Sequence, residues 1–433
     1  MYFSRSILFA LIGLSTAAGA NINLSPFEPS SSVEQNLHQH KVLPHPTEEV
    51  WWVPTGKDMA WNNKNLSALF PSVPVYRDGP VRVLEYSLNP KIGNFEVDTV
   101  EGEKMRFEDF LASDHSSNMG MVILHKGQIV FENYTRMKEY EKPIWWSVTK
   151  VFASSLIAIL EDRGQVDTSK AVEFYLPELG QSEFAGITVR NVLDMASGVD
   201  CSDGNYARGT CYYEFEASLN DAVRSDKTAD TPYEAIATMR PGKWSEQGTA
   251  YDYSGVNTFI LSWLVEKVMR MPFQDALTKE FWLKLGAEGD ASFFAARYGI
   301  ALSSGGFMSK VRDMARFGLL FTPSYKIVSD EAVISDRYLQ TILYGGRPAL
   351  MQNARFAESE EDMKDVKHNV YQWDLVYENN DIYKGGWAGQ GLLINPDRDL
   401  VAVYVGYAKD DQFSQLPVLP RLRAVLKGLY PAP

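Results

Sequence analysis

Histidine is scarce in this chain: six residues in 433, scattered along its length. No Gly-x-Ser-x-Gly elbow occurs. The sequence therefore offers no Ser-His-acid triad of the α/β-hydrolase kind. Clustered metal-ligand patterns and Gly-rich phosphate loops are also missing, so neither a metal nor any other cofactor is expected. Positive charge is in deficit, with 42 Lys and Arg against 55 Asp and Glu and a net charge of −13. That balance argues against nucleic acid and anionic membrane as partners. The apolar run within the first 20 residues is too short to span a bilayer, and no later segment is long and apolar enough to do so. Internal repeats and low-complexity tracts are absent.

Cysteine is nearly absent too, but its two copies are informative. Cys201 and Cys211 bound a polar, Gly-containing loop, Cys201-Ser-Asp-Gly-Asn-Tyr-Ala-Arg-Gly-Thr-Cys211. Such a loop is a natural place for a disulfide in an oxidising compartment. The spacing fits no zinc pattern. Residues 1–20 agree with export. Arg5 is followed by an apolar stretch through Leu14, and Ala18-Gly19-Ala20 fits a small-x-small cleavage site, with cleavage expected after Ala20. The mature protein is expected in the periplasm or outside the cell.

What is present is an ordinary globular composition, 45% hydrophobic and 22% charged, with room for up to about three domains. Residues 21–95 are rich in Pro and Ser, with Trp51, Trp52 and Trp61, and read as an extension or cap. Met119–Tyr134 reads as a β-hairpin about Lys126-Gly127, with His125 at its surface. Residues 165–300 read mostly helical: Thr188 and Ser254 are candidate N-caps, and Phe273–Leu285 makes another helix. Strands return from Tyr383 to Val405, and a helix closes the chain over 415–430. The expected class is α+β: an antiparallel sheet built from both chain ends, packed against helices, with an inserted helical subdomain over about 165–300. The main domain is expected to run from 96 to 433.

One stretch carries chemistry. Ser147-Val148-Thr149-Lys150 is the only Ser-x-x-Lys in the chain and opens an apolar helix that Gly164 stops. Residues three apart share a helix face, so hydroxyl and amine can meet. A serine hydroxyl needs a base, and a desolvated lysine amine can be one. Taken alone, the pattern also fits a helix cap followed by a lysine that reaches to solvent.

Other blocks recur in a family's order: Tyr175-Leu-Pro-Glu-Leu179, Thr188–Asp200, Pro241-Gly242, Tyr253-Ser254, Gly305-Gly-Phe-Met-Ser309 and Gly389–Pro396. With Ser147–Lys150 they resemble the serine β-lactamase-like superfamily, which holds penicillin-binding proteins, class C β-lactamases, related esterases and 6-aminohexanoate-dimer hydrolases. The resemblance runs from about Met119 to Tyr407. It implies that Ser147 is the nucleophile, Lys150 its base and Tyr253 the proton shuttle, with Tyr251 the competing candidate. It also implies an oxyanion hole from the backbone of Ser147 and Gln390. Trp387-Ala388-Gly389 stands in the place of the family's Lys-Thr-Gly, and Gly255 replaces a common Asn. Trp387 supplies no positive charge, which argues against efficient β-lactamase or carboxypeptidase action. Trp387, Gly389, Tyr206 and Asp203 are candidate substrate contacts. The expected function is hydrolysis of a small-molecule amide or ester through an acyl-enzyme. The alternatives are a β-lactamase, a D-alanyl-D-alanine carboxypeptidase, or a binding and sensing module of the same fold.

Overall fold

The structure is a computed structural model. It describes residues 25–29, 31–42, 55–295, 297–355, 363–410 and 418–431. The leader-like residues 1–20, and Trp51 and Trp52, lie outside the described residues.

Seven strands form the central sheet: β1 (Asn118–His125), β2 (Gln128–Asn133), β3 (Val366–Val370), β4 (Trp373–Tyr377), β5 (Ile382–Gly386), β6 (Gln390–Asn395) and β7 (Leu400–Gly406). Their order is β2-β1-β7-β6-β5-β4-β3, and every pairing is antiparallel. The two chain ends meet where β1 pairs with β7, as the class read from sequence requires. The β1–β2 hairpin turns on Lys126 and Gly127, both with positive φ (51° and 73°), the geometry that two-residue hairpins favour.

Strand alternation sorts the core into two layers. Val122, Leu124, Val401, Val403, Leu392 and Ile394 join the cluster shared with the inserted helices. Met121, Ile123, Ala402, Tyr404 and Leu393 face the opposite cluster with Phe107, Phe110, Leu422 and Leu426. The closing helix, Val418–Leu429, therefore covers one face, and Val311–Leu319 lies against the other. Burial on both faces explains why β7 reads as an unbroken apolar run.

The helix Lys150–Asp162 runs through the first cluster and packs on Gly255–Met269. Thr188 caps Val189–Leu193 by accepting the Asn191 N–H. Ser254 is not the cap the sequence points to. It precedes its helix, but its hydroxyl donates to the Cys201 carbonyl at 2.5 Å. Residues assigned to an extension are woven into the fold. Gly56–Leu69 is a helix, and the strand Ser72–Val75 pairs with Ala291–Phe294. Among the described residues, no helix is long and apolar enough to cross a membrane.

Candidate active site

Ser147 lies in a tight turn, Trp146–Thr149, that leads straight into Lys150–Asp162. Trp146 has φ 45°, a conformation disfavoured for a bulky residue. It is held there by its indole N–H, which donates to the Asn63 side-chain oxygen at 3.1 Å. One helical turn on, the Lys150 amine is buried, with 2% exposure. Its Nζ lies 3.0 Å from Ser147 Oγ and donates to the Ser304 carbonyl at 2.8 Å. The third group around it is Asp203, whose Oδ2 stands 3.5 Å away.

These side chains line a cavity of about 310 Å³, together with Tyr206, Tyr253, Gly386 and Trp387. Tyr253 presents its ring to Lys150 at 4.8 Å, and its phenol oxygen accepts from Lys384 Nζ at 2.8 Å. Burial, then Asp374 and Asp203, push the Tyr253 phenol well above the ordinary tyrosine range. The phenol therefore stays protonated at neutral pH, despite two lysines. Tyr251, the competing tyrosine, is not among the cavity-lining residues. It is buried with Met195, Ala196 and Leu350, behind the ring of Tyr253, which packs on the same cluster.

Lys384 is the residue that sequence reasoning missed. The strand beside Ser147 is β5, and its end reads Lys384-Gly385-Gly386, three residues before the triplet centred on Ala388. Lys384 is fully buried behind the cavity wall and meets the site through Tyr253 and Asp374, which line it, so a cation stands nearby although Trp387 carries none. Lys384 is ion-paired with Asp374 at 2.5 Å, and Asp374 also accepts the Gly385 N–H. Gly386 passes so close to the Trp146–Thr149 turn that a Cβ on it would lie 2.7 Å from the Trp145 carbonyl and 3.3 Å from the Ser147 nitrogen. After Trp387 the chain turns back, with Gly386 paired opposite Gln390. This turn places Gly389 and Gln390 outside the cavity lining. Gln390 is fully buried, and its amide donates to the Gly406 carbonyl. The structure thus brings Trp387 to the site, but neither Gly389 nor Gln390.

Tyr206 sits at the rim, 41% exposed. Its loop is closed by the Cys201–Cys211 disulfide. Beyond Asp203 the wall is acidic, with Glu216 and Asp221 beside Tyr212. Burial, reinforced by Asp221, raises the Glu216 carboxyl well above the usual range.

A Beta-lactamase family model matches residues 104–414, and the chain belongs to that family. Within it, the 6-aminohexanoate-dimer hydrolase of Paenarthrobacter ureafaciens is 26% identical over 284 residues, 65% of this chain and 70% of that protein. A provisionally named 6-aminohexanoate-dimer hydrolase from Bacillus anthracis superposes with a TM-score of 0.71 at 19% identity, over 88% of this chain and 94% of its own. A class C beta-lactamase gives 0.53 at 14% identity, over 74% of this chain and 94% of its own. At these identities the solved structures attest the fold, and the family makes the chain a member of a hydrolase superfamily.

Proposed function

We propose that the protein is an exported serine hydrolase that cleaves a small amide or ester through an acyl-enzyme on Ser147. The observation that carries this reading is the buried Lys150 amine, 3.0 Å from the Ser147 hydroxyl at a cavity wall. In the reactive state the neutral amine takes the Ser147 proton as the oxygen attacks the carbonyl. The N–H groups of Ser147 and Trp387 receive the developing oxyanion, because Gly386 lets the end of β5 lie against Ser147. Protonated Tyr253, held by Lys384, supplies the proton to the leaving group. Water then releases the acyl group by the same path in reverse. Export rests on residues 1–20 and agrees with the paired cysteines.

The walls favour a linear amide with an amino group at one end. The Glu216–Asp221 carboxyl pair offers acceptors to an ammonium. The charge of Lys384 is already matched by Asp374, so a β-lactam carboxylate finds little uncompensated positive charge. A 6-aminohexanoate dimer has the favoured shape.

Hydrolysis of p-nitrophenyl butyrate by wild type and Ser147→Ala tests the mechanism. We expect a burst in wild type and a rate loss of at least about 10³-fold in the variant, since the acyl route disappears. Equal rates would remove Ser147 from the reaction. The same preparations should turn over 6-aminohexanoate dimer faster than nitrocefin, and the opposite order would overturn the substrate reading.

A further inference from the structure

The position that the resemblance fills with Asn is Gly255, and the structure places something else in that space. A Cβ on Gly255 would lie 3.3 Å from Asp203 Oδ1, 3.3 Å from Ser304 Cβ and 3.4 Å from Tyr212 Cε2. The Asp203 carboxylate has moved in from the disulfide loop. Its Oδ1 accepts the Gly255 N–H at 2.5 Å, and its Oδ2 faces Lys150 Nζ at 3.5 Å. The loop that carries it is tied to the site from both sides. Ser254 Oγ donates to the Cys201 carbonyl at 2.5 Å, and Asp203 N and Ser202 Oγ donate to the Tyr253 carbonyl at 3.0 and 3.3 Å.

We infer that Asp203 is a positioning residue: its carboxylate bridges the start of the Gly255–Met269 helix and Lys150, and so holds the amine against Ser147. This rests on the Ser147–Lys150 reading above, and it gives Asp203 a task other than contacting substrate. Lys150 has two neutral acceptors, Ser147 Oγ and the Ser304 carbonyl, and one charged neighbour. A carboxylate in a desolvated wall fixes an amine more firmly than a neutral oxygen does. The neighbouring Tyr253 ring supplies a π face but no acceptor on that side. Gly255 and Asp203 therefore form a matched pair: a Cβ at position 255 would crowd Asp203 Oδ1, and the carboxylate would have to shift by a few tenths of an ångström.

The test compares wild type, Asp203→Ala and Asp203→Ser. It measures p-nitrophenyl butyrate turnover and labelling of Ser147 by a fluorophosphonate, with folding checked by circular dichroism. For Asp203→Ala we expect kcat to fall about 10²-fold with KM changed less than about threefold, and labelling to slow in parallel. Added formate should restore at least about tenfold of that loss, while chloride at equal ionic strength restores none. A loop that merely loses order would not respond to formate. Should Asp203→Ala fail to fold, Asp203→Ser carries the same readings, because its hydroxyl still accepts from Gly255. Unchanged kcat, a loss confined to KM, or no formate rescue would each overturn the inference. A wild-type protein that is neither labelled nor active would instead sink the Ser147 reading, and this inference with it.

Discussion

Lys384 Nζ touches the phenol oxygen of Tyr253 and the carboxylate of Asp374, so one side chain sets the charge environment of the phenol proposed as proton donor. An amide leaving group needs a proton more than a p-nitrophenolate does. Lys384→Met should therefore lower amide turnover about 10²-fold or more, in the range of a lost general acid, and ester turnover distinctly less. The amide-to-ester ratio is the measurement, because a simple loss of folded protein lowers both equally. Asp252, beside Tyr253, yields a stability prediction. Burial pushes its carboxyl up to about 6, although Arg355 lies 3.4 Å away. The folded state thus binds a proton that the unfolded chain releases near pH 4. The stabilisation from that proton is complete below about pH 4 and is lost as pH rises through about 6. Asp252→Asn mimics the neutral form. It should leave Tm nearly unchanged at pH 4–5 and raise stability at pH 7.5 by about 1–2 kcal/mol after solvent screening. Thermal melts at the two pH values check this, and a gain at the lower pH only would refute it.

Among the elements, legibility followed the distance along the chain over which a signal acts. Ser147 and Lys150 were readable because one helical turn sets their separation. Tyr253 was singled out through the resemblance, because Ser254, Asn257 and a long apolar helix follow it in the family's order, and the structure sets it in the same cavity wall as Ser147 and Lys150. Lys384 was not, because its partners Tyr253 and Asp374 come from different elements and the sequence alone does not fix the register of β5. A signal was present. Alternate residues of Ile382–Gly386 share a face, and a lysine fully buried in such a strand needs partners. The disulfide loop was legible as a loop, but its contact with Lys150 depends on a tertiary fold that no local pattern encodes. Its closure should matter in two ways. Replacing both Cys201 and Cys211 with Ala frees a short loop, which costs about 2–3 kcal/mol in the chain-entropy view. It also loosens Asp203, so kcat should drop together with Tm. Urea titration and steady-state kinetics on the double variant read both effects. A fall in stability with kcat intact would show that the loop holds Asp203 without the bridge.

For the molecule as a whole, the segment read as an arm or cap over the main fold supports the turn that carries Ser147. Asn63, on the helix Gly56–Leu69, is 1% exposed and joins three parts of the fold. Its Nδ2 donates to the Gly406 carbonyl at the end of β7, at 2.9 Å. Its Oδ1 accepts the Trp146 indole N–H at 3.1 Å, and its backbone carbonyl accepts the Ile144 N–H at 2.8 Å. Gly406 also receives the Gln390 amide, so β6, β7 and the turn that carries Ser147 share one polar network. Poor hydrophobic periodicity hid this role, because the helix is anchored by buried amides as much as by an apolar stripe. Asn63→Ala removes both side-chain bonds and leaves the Trp146 indole N–H without its acceptor in a buried setting. The cost should be about 2–4 kcal/mol, from two lost hydrogen bonds and one stranded donor. Trp146 holds a left-handed backbone next to Ser147, so releasing its indole should also let the turn relax and lower kcat by about tenfold or more. Asn63→Asp keeps the acceptor for Trp146 but loses the donor to Gly406, and it should recover kcat more than stability. Equal recovery of both, or of neither, would mean that the segment stabilises the fold without setting the geometry of Ser147.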